Sequence, residues 1–136
     1  MNLRNAVKTT KADKWFSIFI RLRDTGEDGF CVCYTCGKKS LPKNMTVSHY
    51  VKRQFMGARF SEMNHAGCIY CNYYLQGNDA VYRKKLVEDY GEDKVLLMEA
   101  AKHDTRQLKA YQLAEIAKIY ELKAKELAKL KGVSLW

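Results

Sequence analysis

The sequence predicts an α+β fold, mostly helical. An N-terminal helix leads into a small cysteine-rich ββα unit, and longer helices follow to the C-terminus. Three observations predict it. Two Cys-x-x-Cys pairs, "CYTC" and "CIYC", stand 31 residues apart. Around and after the first pair, apolar residues come in short runs broken by Gly37, Pro42 and Asn44. On both flanks, apolar residues instead recur at steps of three and four.

Taken in order, "DKWFSIFIRLRDTG" reads as the first helix. Trp15, Ile18, Phe19 and Leu22 share a face, Arg21 and Arg23 suit its C-terminal end, and Gly26 and Gly29 break it. Residues 30–50 read as short β structure, "FCVCYTCGKK" and "MTVSHY", with a turn through Pro42 and Asn44. Residues 51–66 read as irregular. A helix capped by Asn78 or Asp79 runs to Tyr90, with Tyr82, Leu86 and Tyr90 on one face and Gly91 as its stop. "EDKVLLMEAAKH" is a further short helix. The last helix is expected over 106–131, about 39 Å long, with Asp104 and Gln107 at capping-box spacing. Its stripe is Leu113, Ile116, Tyr120, Ala124 and Leu127, and Gly132 ends it. This divides the chain into a helical segment 1–29, a core 30–103 and an amphipathic C-terminal arm 104–136 for DNA binding or dimerisation.

Lysine and arginine outnumber acids by 24 to 15, a net charge of +9. That excess points to a polyanionic partner, with nucleic acid foremost; the bland alternative is scattered charge on a basic protein. No run of 18 apolar residues exists, so nothing is expected to span a membrane. The start, "MNLRNAVKTTKADKW", has no apolar h-region, so a cytoplasmic protein is expected.

Cys33, Cys36, Cys68 and Cys71 are four soft ligands in two knuckles, and in a non-secreted chain that spacing favours metal over disulfides. A four-thiolate zinc site is closed to water, so this ion is expected to hold the fold and do no chemistry. Cys31 is left over. It either competes as a ligand or is a plain buried thiol, and the second reading is preferred.

Between the knuckles lies "TVSHYVKRQF". A lone histidine is usually a packed or surface residue. Here His49 comes with Asn64, four residues before Cys68, and Asn72, directly after Cys71. A histidine on a hairpin, zinc knuckles either side and an asparagine opening the next helix form the pattern of a ββα-metal nuclease. A neutral imidazole can deprotonate water, and oxygen ligands can hold the hard cation that phosphodiester hydrolysis uses.

"FIRLRD", "CYTCGK", "SHYVKR", "RFSEMNHAGCIYCNYYLQGN" and "YRKKLVEDYG" resemble, in order, the phage NinG (Rap) recombination nucleases of the HNH/ββα-metal superfamily, which also holds endonuclease VII-type resolvases. The resemblance covers roughly residues 15–103. It implies a zinc-stabilised, treble-clef, HNH-like core with Cys33, Cys36, Cys68 and Cys71 as structural ligands. It further implies His49 as general base, Asn72 as ligand of a catalytic Mg²⁺ or Mn²⁺, and Asn64 as the brace of the loop carrying the base. The implied activity is structure-specific cleavage of branched DNA, such as Holliday junctions or D-loops, by a phage-encoded protein in its bacterial host. The sequence departs from the family pattern before the histidine, where many HNH enzymes carry a metal-binding Asp and this chain has Ser48. Glu62 and Asn78 are the other candidate oxygens.

Lys38, Lys39, Lys52, Arg53 and Arg59 bracket the site as phosphate contacts, with His65 as a further one. Arg83, Lys84 and Lys85 extend that basic face. Tyr70, Tyr73 and Tyr74 read either as core residues or as rings that stack on bases, and the core reading is preferred. The last helix either folds back on the domain or pairs with another copy, and a homodimer would suit the two-fold symmetry of a junction. The runner-up function is a zinc-stabilised DNA-binding module without catalysis, and the third is an adaptor built on a treble-clef finger.

Overall fold

The computed structural model describes residues 7–136; the first six residues of the predicted 1–29 segment lie outside them. The fold is α+β and mostly helical.

Helix α1 (Lys11–Arg23) starts at a capping box. The Thr10 hydroxyl accepts from the Asp13 N–H, and the Asp13 carboxylate accepts from the Thr10 N–H. The helix buries more than the expected stripe: Trp15, Phe16, Ile18, Ile20 and Leu22 are all in the core. A one-sided stripe underestimates it because α1 is packed on two sides, by the last helix and by the strand residues 46–48 and 65–67.

The β structure is divided. Strands β1 (Cys31–Val32) and β2 (Lys39–Ser40) form one antiparallel pair. Strand β3 (Thr46–Ser48) pairs instead with β4 (His65–Gly67), in the register Thr46↔Gly67, Val47↔Ala66, Ser48↔His65. The stretch expected to be irregular, 51–66, therefore holds a short helix α2 (Met56–Arg59) and the start of β4. Strands this short carry too little alternation for a sequence pattern to show them. A π-helical turn, Tyr70–Tyr74, follows β4.

Helix α3 (Asp79–Tyr90) turns at Gly91, φ +93°, into α4 (Glu92–Glu99). Tyr82 and Leu86 of α3, Val95 and Met98 of α4, and Tyr50, Val51 and Ala58 form a second core cluster. The Tyr82 hydroxyl donates to the Ser48 carbonyl (2.7 Å) and accepts from the His65 N–H (2.8 Å), so α3 clamps the last pair of the β3–β4 ladder.

Helix α5 (Ala110–Lys131) begins four residues later than expected and is about 33 Å long. The Asp104–Gln107 box does not form. Asp104 instead accepts from the backbone and guanidinium of Arg106, while Gln112 Oε1 accepts from the Lys109 N–H at 2.8 Å. Tyr120, Ala124 and Ala128 pack into the α1 core cluster, and the two alanines let the helices approach closely. Lys131 Nζ donates to the carbonyls of Leu22, Arg23 and Thr25 and so caps the end of α1. The stripe that could have paired two copies is thus used within the chain. Among the described residues no helix is long and apolar enough to cross a membrane.

Candidate functional site

The four sulfurs of Cys33, Cys36, Cys68 and Cys71 lie within 4.8 Å of one another, three of them buried and Cys36 exposed. Cys36 Sγ and Cys68 Sγ are 3.7 Å apart. A tetrahedron of sulfurs about 2.3 Å from zinc has an edge of about 3.8 Å, whereas a disulfide would need about 2.05 Å. The quartet therefore fits a structural metal such as zinc. It joins the β1–β2 turn to the segment after β4, and Met45 and Ala66 complete its packing. Cys31 is fully buried but outside the quartet. Burial pushes its thiol up to about 11, with the Asp24 charge adding to the effect, so it stays protonated and behaves as a small apolar residue.

Next to the quartet is a cavity of about 530 Å³. His49, Thr46, Asn72 and Tyr73 line it, together with Lys14, Arg21, Arg53 and Trp136. His49 and Asn72 thus face the same space, although 23 positions separate them in the chain. Strand β3 delivers His49, and the π-helical turn directly after Cys71 delivers Asn72.

His49 Nε2 bonds the Arg59 carbonyl at 3.1 Å. Nε2 must be the donor, because a carbonyl can only accept, and the neutral ring then keeps the Nδ1 lone pair. Burial pushes the His49 pKa down to about 4, against the Arg59 carbonyl bond, which favours the charged form. A folded value below the ordinary 6.5 means that His49 contributes stability above pH 6.5 that is lost as pH falls from 6.5 towards 4. Over that window the wild type is expected to lose on the order of 3 kcal/mol more than His49→Gln. Denaturant melts of both proteins at pH 4, 5.5 and 7 check this, and parallel losses would refute it.

Asn64 is fully buried. Its Oδ1 accepts from the Tyr50 N–H (3.2 Å) and its Nδ2 donates to the Ala58 carbonyl (3.0 Å), bracing the loop that follows His49. Asn72 Nδ2 donates to Thr46 Oγ1 at 3.0 Å, and the Ser48 hydroxyl donates to Asn72 Oδ1 at 3.4 Å. Cis ligands about 2.1 Å from Mg²⁺ stand about 3.0 Å apart, so these two oxygens, 3.4 Å apart, could hold a hard cation together only after a small shift.

The other candidate oxygens lie differently. Glu62 accepts from Tyr120 (3.0 Å) and Lys123 (2.9 Å) and ties β4's approach to α5, away from the cavity. Asn78 sits at the N-cap of α3 in the left-handed region, φ +53°, without a capping side-chain bond. It ends a run of three positive φ values, with Gln76 at +51° and Gly77 at +95°. A Cβ at Gly77 would lie 3.0 Å from Asp79 Oδ1 and 3.3 Å from Lys52 Nζ, so the glycine lets these groups converge near Ser48. Asp79, which the sequence offers as a helix cap, and the Ser48 hydroxyl thus both border Gly77.

Several expected DNA contacts are corrected. Arg59 is 1% exposed and bound to Asp13 at 2.8 and 2.5 Å, so it is an internal strut, not a phosphate contact. His65 stacks on Tyr34 at 3.8 Å, with its nitrogens on Asp24 (3.1 Å) and Tyr90 (2.7 Å). Lys39 and Lys52 lie beside Asp28 and Asp79 but stay about half exposed and open to a phosphate, and Arg83 holds Glu92 and Glu99. Lys38 remains exposed, and Arg53 lines the cavity. Lys14, Arg21 and Trp136 were missed, because α1 reaches the cavity by packing on β3 and the turn before it, and the C-terminal residues reach it through the α1–α5 packing. Tyr70, Tyr73 and Tyr74, expected in the core, are 58, 72 and 77% exposed.

These features define a small α+β protein with a four-cysteine cluster that fits a metal, next to a basic cavity that holds one histidine and one asparagine. The profile of the bacteriophage lambda NinG protein family matches residues 4–131, so nearly the whole chain, α5 included, belongs to that family. No curated protein and no solved structure matches the chain significantly.

Proposed function

We propose that the protein is a metal-dependent endonuclease with an HNH-like ββα-metal core, acting on branched recombination intermediates of phage DNA in the host cytoplasm. Membership of the NinG family points to a recombination-related role. The observation that carries the enzymatic reading is that His49 and Asn72 line one basic cavity, with His49 locked by the Arg59 carbonyl into the tautomer that offers Nδ1 as a base.

In this reading Lys14, Arg21 and Arg53 draw the scissile phosphate into the cavity. His49 Nδ1 accepts the proton of the attacking water while its Nε2–H stays on the Arg59 carbonyl. The phosphodiester's negative charge next to the ring raises its pKa from the low value of the empty cavity towards neutrality, where it is an effective base. Asn72 Oδ1 and Ser48 Oγ would hold Mg²⁺ or Mn²⁺, which stabilises charge on the leaving oxygen. Thr46 and Tyr82 keep Asn72 and the β3–β4 end in place.

Cleavage of a labelled four-way junction with Mg²⁺ or Mn²⁺ is expected from the wild type and reduced about 10²- to 10⁴-fold in His49→Ala, the span of removing a general base. Junction affinity should be little changed. Equal cleavage by both proteins, or none by either, removes the enzymatic assignment. Junction binding without cleavage by either leaves the DNA-binding module, which the absence of an acid at position 48 favours.

A further inference from the structure

The three tyrosines in and directly after the second knuckle stand where no core uses them. Tyr70 and Tyr74 stack on each other with ring centres 5.7 Å apart, and Tyr73 between them in sequence is 72% exposed and also lines the His49–Asn72 cavity. Ile69 and Leu75, at the two ends of the turn, are exposed too. This aromatic surface borders a positive field. Arg21 donates to the carbonyls of Ser17, Pro42 and Met45, and Arg53 donates to Thr9 and the Val7 carbonyl. Neither they nor Lys14 have a carboxylate partner among the described residues, and the one acid lining the cavity, Asp13, is committed to Arg59.

Exposed aromatic rings beside uncompensated cations are what an unstacked nucleotide needs: rings for the base face and positive charge for the phosphate. A base inside a duplex already has both faces covered by its neighbours, so such a surface takes only unpaired or splayed bases. We propose that Tyr70, Tyr73 and Tyr74 form a stacking platform for unpaired bases at a DNA branch, with Tyr73 seating the base next to the cavity. The inference rests on the DNA-acting reading of the cavity and deepens it. The platform selects branch points over continuous duplex by the availability of base faces, without reading sequence.

The test is binding by fluorescence anisotropy in a His49→Ala background, where the DNA stays intact. Forked DNA with unpaired arms is compared with blunt duplex of equal length. Tyr73→Ala is expected to weaken fork binding about 5- to 150-fold, the span of losing one base–aromatic stack. Duplex affinity should stay the same, and Tyr73→Phe should bind like the parent. Tyr70→Ala/Tyr74→Ala should weaken fork binding further. A fork-placed 2-aminopurine should be quenched by the parent and not by Tyr73→Ala. Equal loss on fork and duplex, or no loss on either, overturns the platform. So does a change of oligomeric state in sedimentation, which would make the tyrosines a contact between copies. The cleavage comparison of wild type with His49→Ala fails separately: fork selectivity lost in Tyr73→Ala, in a protein whose wild type cuts nothing, keeps the platform and removes the nuclease.

Discussion

Replacing Cys68 with serine is expected to release the metal and unfold most of residues 31–75. The segment from β1 to the π-helical turn contains strands of only two or three residues; around the sulfurs its apolar cluster is only Met45, Ala66 and the cysteines, while Tyr50, Val51 and Ala58 pack on α3 and α4. So short a piece cannot bury enough surface to offset the entropy of ordering it. A four-thiolate zinc contributes about 10–16 kcal/mol of apparent binding energy near neutral pH in small domains, comparable with the whole stability of a typical chain, about 5–15 kcal/mol. Metal content by elemental analysis should fall from one ion per chain to none in Cys68→Ser, with loss of the cooperative thermal transition. Cys31→Ser, outside the quartet, should keep the ion. A Cys68→Ser protein that retained its metal and melted like the wild type would refute the structural role of the quartet. The effect reaches the cavity, because Asn72 follows directly from a ligand.

Arg59→Ala is expected to destabilise the protein by about 3–5 kcal/mol, as breaking a buried ion pair from one side does. Arg59 and Asp13 are both nearly inaccessible. Burial opposes ionisation of Asp13, but the bonds from Arg59 and Thr10 outweigh it and hold its carboxyl below the usual range. With the guanidinium removed, that carboxylate stays buried without its partner. The double substitution Arg59→Met/Asp13→Leu removes both charges and should recover most of the loss. Denaturant midpoints of the single and double variants measure it, and a single variant within about 0.5 kcal/mol of wild type would contradict the buried pair. The strut also matters chemically, since the carbonyl of the same residue fixes the His49 tautomer. Arg59→Ala should therefore lower any cleavage rate more than its stability loss at working temperature explains.

Much of the fold was legible along the chain. The metal quartet came from Cys-x-x-Cys spacing, because thiolate ligands for one ion must come in tight turns whose length is written locally. The helices α1, α3 and α4 came from apolar steps and stops, and the pairing of His49 with Asn72 came from their positions against the cysteines together with the family resemblance. The β3–β4 pairing stayed hidden, because three-residue strands have no measurable period and their partners lie across residues 49–64. The start of α5 was misplaced because two acceptors competed for the cap, and Arg106 took Asp104.

Charge and exposure were the least legible. A basic residue reads the same whether it meets phosphate or an internal acid. Arg59 and Asp13 stand 46 positions apart, and only the tertiary fold brings α2 and α1 together around them. Tyrosines beside cysteines read as core, yet the π-helical turn carries theirs outward. The sequence by itself determined the cysteine quartet that fits a metal, the helical character and the candidate base, since each depends on neighbours within a few residues. The tertiary structure alone decided which cations are free, which rings face solvent and which groups share the cavity, because those depend on distances between segments that no local pattern encodes.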